Sequence, residues 1–399
     1  MCYHICRMKT EFKRIALIAE LTRAYGRNLC EGVAAYAQTK SDWSVHLLSP
    51  AQKAQVDLLK GYDGVIARVL SPKSAAAIRK SALPAVDIFG DGEYEGIVAV
   101  DCDHEAIARL AAEHFLQRRF TRFAFCGYDG VRFSDARRDT FVQVLAEKNY
   151  QCNLYKAAKD VLRRYTQGIA ANEKIGFDAD MEDLRAWLAA LPRQTGVFCC
   201  NDVRALQVLR LCRQEKINVP EEIAILGVDN DSLLCGFSTP SISSVDPDAF
   251  EVGREAARML DVLMAGGEAK SERIQPKGLV ARLSSEIYPI DPAWLSDALV
   301  FIHRNVGKNL SASDVFAHLG LSHTIVEHTF RNVLATTVQK EIIKSRMAEA
   351  RHLLATTTLG VAEIAKMAGF SSAEYFCRTF VAHNGMAPGE WRRQEAGKE

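Results

Sequence analysis

The run Val361-Ala362-Glu363-Ile364-Ala365-Lys366-Met367-Ala368-Gly369-Phe370, continued by Ser371-Ser372-Ala373-Glu374-Tyr375-Phe376-Cys377-Arg378-Thr379-Phe380, decides the reading of the end of this chain. A short apolar-faced helix, a glycine turn and a second helix with a polar outer face make a helix-turn-helix, whose second helix can lie in a DNA major groove. A weaker copy precedes it in Val315-Phe316-Ala317-His318-Leu319-Gly320-Leu321-Ser322, running on to Phe330-Arg331.

Working outward, the pattern predicts helices over Ala293–Arg304, Ala312–Leu319, His323–Leu334, Val338–Ala355, Val361–Ala368, Ala373–His383 and Gly389–Gln394. Ser311, Ser322 and Ser372 each precede a helical run as caps, while Gly320 and Gly369 follow one. Leu319, Leu321, Ile325, Val326 and Phe330 are expected to pack the first unit. Ile364, Ala365, Met367, Phe370, Tyr375, Phe376 and Phe380 are expected to pack the second.

That leaves His323, Thr324, Glu327, His328 and Arg331 outward on the first reader helix. On the second, Ser371, Ser372, Ala373, Glu374, Cys377 and Arg378 face out. Arg331, Arg378, Arg392 and Arg393 are candidate phosphate or base contacts. A solvated helix face looks similar, so the spacing decides. The reader helices start about fifty residues apart. The helix that joins them is roughly 26 Å long at 1.5 Å per residue. With side-chain standoff it can hold the readers about 34 Å apart, one turn of duplex.

Charge is a weaker guide. The 399 residues carry a formal net charge of +1, so no bulk field draws the chain to nucleic acid. From Pro292 onward there are 12 Lys/Arg against 10 Asp/Glu, which leaves DNA contact to a local arrangement of Arg and His. Eleven cysteines occur without C-x-x-C spacing, which predicts buried thiols in a reducing cytoplasm, no metal and no cofactor. The apolar stretch Ile15 to Ala19 is too short for an export signal, and no run has membrane-spanning length.

Before Pro292 the chain alternates β-branched runs with amphipathic helices. Strands are expected at Arg14–Ala19, Ser44–Leu48, Gly64–Arg68, Ala85–Ile88, Ile97–Val100, Arg122–Cys126, Gln151–Leu154, Gly196–Cys200 and Ile223–Leu226. Helices are expected at Asn28–Gln38, His104–Leu116, Asp135–Lys148, Asp180–Ala190, Asp202–Gln214 and Phe250–Met264. This alternation predicts an α/β fold of two doubly wound parallel-sheet lobes, followed by the all-α end. The boundaries are an effector-binding pair of lobes over 12–284, dividing near 117–121, a linker over 285–292 with Pro289 and Pro292, and a double helix-turn-helix over 293–394.

Such lobes bind ligands beyond the carboxyl ends of their strands. The polar stretch Glu20 to Arg27 follows the first strand and contains Tyr25 and Arg27. Asp101 ends the fifth strand, Phe133 and Arg137 follow the sixth, and Asn201, Asp202 and Asp229 follow later ones. Any one Asp or Asn can simply cap the next helix. Together, carboxylates, amides, an arginine and an aromatic at one sheet edge suit a polyol, whose hydroxyls need fixed donors and acceptors.

Several motifs resemble known families. Cys200-Asn201-Asp202-Val203-Arg204-Ala205-Leu206, Val219 through Asn230 and Pro240-Ser241-Ile242-Ser243-Ser244-Val245 resemble the periplasmic-binding-protein-like regulators of the lactose-repressor type. That resemblance covers most of residues 14–284. It implies effector contacts at Asp101, Arg137, Asn201, Asp202 and Asp229, and a return to the first lobe at 243–246. Those repressors begin with a helix-turn-helix; here the first strand candidate starts at Arg14.

Arg346-Met347, Ala350, Leu353-Leu354, Ile364-Ala365, Gly369-Phe370, Tyr375 through Phe380, Gly385-Met386-Ala387-Pro388 and Trp391-Arg392 resemble the arabinose-regulator type of DNA-binding domain. His328 and Val326 depart from it, standing where a basic residue and a leucine are usual. The combination, with Ala24-Tyr25-Gly26-Arg27 and Glu31-Gly32-Val33, is similar to the xylose-responsive activators of bacterial sugar operons. In relatives an acidic residue can occupy the Gly26 position.

The resemblance implies a sugar-responsive activator of a pentose operon. Its partners would be double-stranded operator DNA, D-xylose or a similar pentose, a second copy in a homodimer and RNA polymerase. The alternatives are a regulator of this architecture tuned to another small ligand, a sugar-processing enzyme and a solute-binding transport protein. An enzyme would need a phosphate loop or nucleophile elbow, and the sequence has neither motif.

Overall fold

The computed structural model describes residues 12–48, 56–69, 71–90, 94–156 and 181–396, in two compact units divided at Ser285 and Glu286. Asp180, expected to open a helix, lies outside the described residues.

In the first unit the elements run β1 (Lys13–Ile18), α1 (Ala24–Ala37), β2 (Trp43–Leu48), β3 (Gly64–Ala67), α2 (Pro72–Ser81), β4 (Ala85–Asp87) and β5 (Val98–Cys102). They continue α3 (His104–Gln117), β6 (Arg122–Cys126), α4 (Arg132–Ala146), β7 (Cys152–Leu154), α5 (Met181–Ala190), β8 (Thr195–Cys199), α6 (Asp202–Gln214) and β9 (Ile223–Val228). The last are α7 (Ser232–Phe237), β10 (Ser243–Asp246), α8 (Ala249–Met264), β11 (Glu272–Ile274) and β12 (Gly278–Val280). Two six-stranded sheets result, in the orders β11-β5-β4-β3-β1-β2 and β12-β10-β9-β8-β6-β7. Among the described residues every pairing is parallel except β10 with β12. Strands β8 and β9 are buried along their whole length, as a sheet covered on both faces requires.

The chain changes sheets a helix earlier than the expected 117–121 boundary. Helix α3 packs on α4, β10 and β12, and Phe115 lies against Gly196 of β8. The first crossing is therefore at Asp103. Strand β10 stays in the second sheet, and α8 after it packs on α1, β3, β4 and β5, so the return falls just beyond 243–246. A third crossing joins β11 of the first sheet to β12 of the second.

The second unit is helical: α9 (Ala293–Arg304), α10 (Ala312–Leu319), α11 (His323–Leu334), α12 (Val338–Thr356), α13 (Val361–Met367), α14 (Ala373–Asn384) and α15 (Pro388–Ala396). It has two separate cores. Leu295, Leu299, Ile302, Val315, Val326 and Phe330 fill one; Leu353, Leu354, Ile364, Phe370, Phe376 and Phe380 fill the other. Helix α12 belongs to both, giving Val338 and Ile342 to the first and Met347 and Ala350 to the second. Two expected core residues are not in it: Ile325 is 52% and Met367 49% exposed. Val326, Phe330 and Leu334 form the buried stripe of α11, and Ile325 sits one residue, about 100°, off that line. Met367 is displaced in the same way from Ile364, Ala365 and Ala368. Among the described residues no helix is long and apolar enough to cross a membrane.

Candidate effector cleft and nucleic-acid interface

The carboxyl ends of both sheets open onto one cleft, with a cavity of about 70 Å³. Tyr25 and Asp101 line it from the first sheet's side; Phe133, Arg137, Asn201 and Asp229 line it from the second's. Tyr25 stands on the first turn of α1, because that helix starts at Ala24, inside the stretch expected to be loop. Phe133 and Arg137 are one turn apart on α4, with the guanidinium 5.1 Å from the ring centroid.

The geometry around Asp101 is closed. Tyr25 Oη donates to its Oδ1 at 3.0 Å, the Cys102 amide donates at 2.8 Å, and His104 Nε2 lies 3.3 Å from Oδ2. Burial opposes the charge on His104, yet the Cys102 thiol and the Asp101 carboxylate outweigh it and push the imidazole up to about 10. Burial likewise opposes ionisation of Asp101, but His104 holds its carboxyl below the ordinary range. Burial, with Asp101 beside it, raises the Tyr25 hydroxyl well above its usual value.

Asp101, Cys102 and His104 bring one ligand atom each within 4.8 Å of one another, a set that the cysteine spacing did not reveal. Both imidazole nitrogens are already engaged there. Arg137 Nη2 also lies 3.7 Å from Cys102 Sγ, so a guanidinium supplies the positive charge a metal would bring.

Asp229 sits at φ 110°, a conformation rare for any residue but glycine, and its carboxylate lines the cleft. Burial raises it to about 6, opposed by Arg137 and Arg23. Asn201 accepts from the Arg204 amide with Oδ1 at 2.9 Å, which caps α6 and leaves its NH2 group over. Asn201 is thus a helix cap that also lines the cleft.

Two expected contacts are elsewhere. Asp202 is 1% exposed and does not line the cleft. It accepts from the Asp231 amide at 2.8 Å, Ser244 Oγ at 2.7 Å and Cys235 Sγ at 3.3 Å, tying β10 to the turn that carries Asp229. Burial, with Asp229 nearby, pushes its carboxyl up to about 8. Arg27 does not line the cavity: it donates to the Leu21 and Thr22 carbonyls at 3.1 and 3.0 Å, bracing the loop before α1, and pairs with Asp231 at 3.5 Å.

Arg68, Phe89 and His104 line the cleft without having been expected there, and so do Glu20 and Arg23, which lie in the polar stretch after the first strand but were not singled out. Each stands at or just past the carboxyl end of a first-sheet strand, the rule that found Asp101. Arg68 binds Glu20 at 3.2 Å and lies 4.0 Å over the Phe89 ring. Asp87, at the end of β4, fixes that corner by accepting from the amides of Val69 and Phe89, both at 3.0 Å. At Gly26 a Cβ would come 1.7 Å from the Glu20 carbonyl oxygen, so the acidic side chain of relatives has no room here.

In the second unit Ser322 and Ser372 cap the two reader helices by accepting from the amides of Ile325 and Tyr375. His323, Thr324, His328 and Arg331 are exposed on α11, and Ser371, Glu374 and Arg378 at α14. Ser372, Ala373 and Cys377 are half-buried. Glu327 turns inward, its side chain 13% exposed. Arg392 is not outward either: it donates to the Leu354 and Leu359 carbonyls and closes the carboxyl end of α12.

The two halves are locked at one junction. Arg346, 5% exposed, donates from Nη2 to the Leu310 carbonyl at 2.7 Å, and its guanidinium lies 5.7 Å from the Phe370 ring centroid. Gly369, at φ 80°, packs so close that a Cβ would lie 2.0 Å from the Val306 carbonyl oxygen. Helix α12, 19 residues or about 28 Å long, is thus a fixed beam between the reader units.

Residues 112–285 match a periplasmic binding protein-like domain, and residues 315–394 match a helix-turn-helix domain. The chain is similar to the xylose operon regulatory protein of Escherichia coli K12, at 28% identity over 96% of this chain and 98% of that protein. Its end is similar to the helix-turn-helix transcriptional activator AarP of Providencia stuartii, at 31% identity over 26% of this chain and 76% of that protein. A solved xylose-binding transcription activator shares 27% identity, with 97% of this chain and 99% of that one covered and a TM-score of 0.59. The chain belongs to the transcription regulators that join a periplasmic-binding-protein-like sensor to an arabinose-regulator-type helix-turn-helix domain, the architecture of the xylose operon regulatory proteins.

Proposed function

We propose that this regulator is a sugar-responsive activator: it holds operator DNA through α11 and α14 and senses a small sugar in the cleft. The observation that carries the reading is the convergence of Tyr25, Asp101, Phe133, Arg137, Asn201 and Asp229 on one cavity from two sheets. Among the described residues the Asp229 side chain has no hydrogen-bond donor, so it is an acceptor for a hydroxyl, while Phe133 and Phe89 offer apolar faces to a sugar ring.

The relatives named for xylose make D-xylose, or a similar pentose, the first sugar to test. Dimerisation through the sensor would present two double-reader heads to the operator, and contact with RNA polymerase would complete activation in the cytoplasm. Ligand acts by favouring one arrangement of the lobes, which requires different affinities for the two. For DNA contact the strongest residues are His323, Thr324, His328 and Arg331 on one helix and Ser371, Glu374 and Arg378 at the other.

The test is a gel shift with upstream DNA across a panel of pentoses and hexoses, paired with calorimetry of the full chain. A sugar that binds and changes DNA affinity supports the reading. DNA binding that ignores every member of the panel, with no heat of binding from any, overturns its sensor half.

A further inference from the structure

The two reader helices repeat one another place by place, and the repeat isolates a pair of side chains in each. Two and six places after the cap serine stand Thr324 and His328 on α11, and Glu374 and Arg378 on α14; all four are exposed. Four residues advance a helix by about 6 Å, close to two base-pair steps of roughly 3.4 Å, so each pair can reach two nearby bases of one groove.

The pair on α14 has opposite charges at a spacing that ordinarily closes on itself. Comparable pairs elsewhere in the chain do close: Arg254 lies 2.5 Å from Glu251, and Arg258 2.5 Å from Glu255. Among the described residues Glu374 and Arg378 make no ion pair. The guanidinium lies instead 5.7 Å from the Tyr375 ring centroid. The Glu374 carboxylate takes its own amide and the Ser372 hydroxyl, which hold it below the ordinary range, and Ser372 accepts in turn from the Tyr375 amide at 3.1 Å. An ionised carboxylate is thus tied to the amino-terminal turn of α14, the part of a reader helix that meets base edges.

On a face that approaches a polyanion, a carboxylate is repelled unless a base gives it a donor, because it is acceptor-only. In the major groove cytosine offers an amino group with no acceptor of its own beside it. Adenine sets N7 next to its amino group and would press a lone pair on the second carboxylate oxygen, while guanine and thymine offer acceptors. A guanidinium is the complement, matched to O6 and N7 of guanine.

We propose that Glu374 is a specificity-determining residue that accepts from the amino group of a cytosine, with Arg378 on a guanine within two base pairs of it. The inference rests on the reading of α14 as a DNA-contacting helix and refines it by naming the bases. It does not depend on what the cleft binds.

The test is selection of binding sites by the full chain from random duplex pools, with and without the pentoses and hexoses above, then gel-shift titration of single-base variants of the selected site. One C·G pair is expected at which adenine in place of cytosine costs about tenfold or more in affinity. Glu374→Gln should turn the preference at that pair to adenine, since an amide meets N6 and N7 together, with preferences elsewhere in the site unchanged. Glu374→Ala should leave that pair discriminated by less than about threefold, and either variant suffices should the other not fold. Arg378→Lys should weaken the neighbouring guanine preference about fivefold while the cytosine preference stands. A carboxylate that only faces solvent gives a different result: Glu374→Gln then raises affinity for all sequences alike. That outcome, or a changed preference at a pair whose selected base is not cytosine, overturns the inference and leaves DNA reading by α14 standing. A chain that enriches no sequence under any condition removes both.

Discussion

At the residue scale, neighbours in sequence have opposite roles. Asn201 reaches the cleft; Asp202 is sealed beneath it on Asp231, Ser244 and Cys235. Asp202→Ala therefore removes a structural acceptor, and we expect a loss of about 2–4 kcal/mol in sensor stability by denaturant melts, not a selective loss of ligand response. Its carboxyl is raised to about 8 in the folded protein, while the unfolded chain releases that proton near pH 4. The stability it contributes is complete below about pH 4, falls between about pH 4 and 8 and is lost above that, so Asp202→Asn should flatten the decline of sensor stability between about pH 4 and 8. Asp229 gives the contrast. Asp229→Asn is expected to weaken effector binding about 10- to 100-fold by calorimetry, with the melting midpoint unchanged or higher. Strand ends made Asp101, Arg137 and Asp229 legible in the sequence. The same rule applied to Arg68 and His104, but there strand and helix assignment absorbed the residues: Arg68 read as strand and His104 as the start of a helix. Which of two adjacent polar residues faces the cavity depends on the twist of a turn, which no spacing records.

At the element scale, periodicity fixed the long helices and nine of the strands to within a few residues. It did not disclose β10, β11 and β12, whose four, three and three residues leave too few alternations to count. Nor did it separate Ile325 and Met367 from the core, because one step around a helix leaves hydrophobicity unchanged while burial reverses. Exposed Ile325 adds an apolar group to a reader helix, suited to a thymine methyl. The packing between the helix-turn-helix units was equally hidden, since Gly369 reads as a simple turn glycine. Its contact with the Val306 carbonyl makes it a joint. Gly369→Ala should cost the helical unit about 2–4 kcal/mol, from the positive φ together with the clash. Gly320, at φ 62° with open space around it, is the control: Gly320→Ala should cost only about 1 kcal/mol. Scanning calorimetry of both variants measures the difference, and equal losses would show that the joint is not a packing constraint.

At the scale of the molecule, the question is how a change in the cleft reaches the DNA-binding unit. Three segments cross between the sheets, and the chain leaves the sensor only after the third, through β12 and the turn at Leu283–Ser285. That exit is bound to the second sheet. Ser284 Oγ donates to the Ile225 carbonyl at 2.6 Å and accepts from the Ser243 amide at 2.9 Å, while Ser285 Oγ lies 2.7 Å from both Ser243 Oγ and His114 Nε2. Both serines are fully buried, so the last residues of the sensor must follow the second lobe in any rearrangement of the two. Coupling is a free energy shared by two sites, and it survives only as far as the connection between them is stiff. Ser284→Ala leaves the Ile225 carbonyl without its donor and should loosen the exit locally, far from the cleft residues. Effector affinity is then expected to stay within about threefold, while the ratio of DNA affinities with and without effector falls by about fivefold or more. Titrations of DNA by fluorescence anisotropy, with and without saturating effector, give that ratio. An unchanged ratio in a variant with a loosened exit, seen as faster amide exchange at 283–285, would mean that the signal does not travel through this tether.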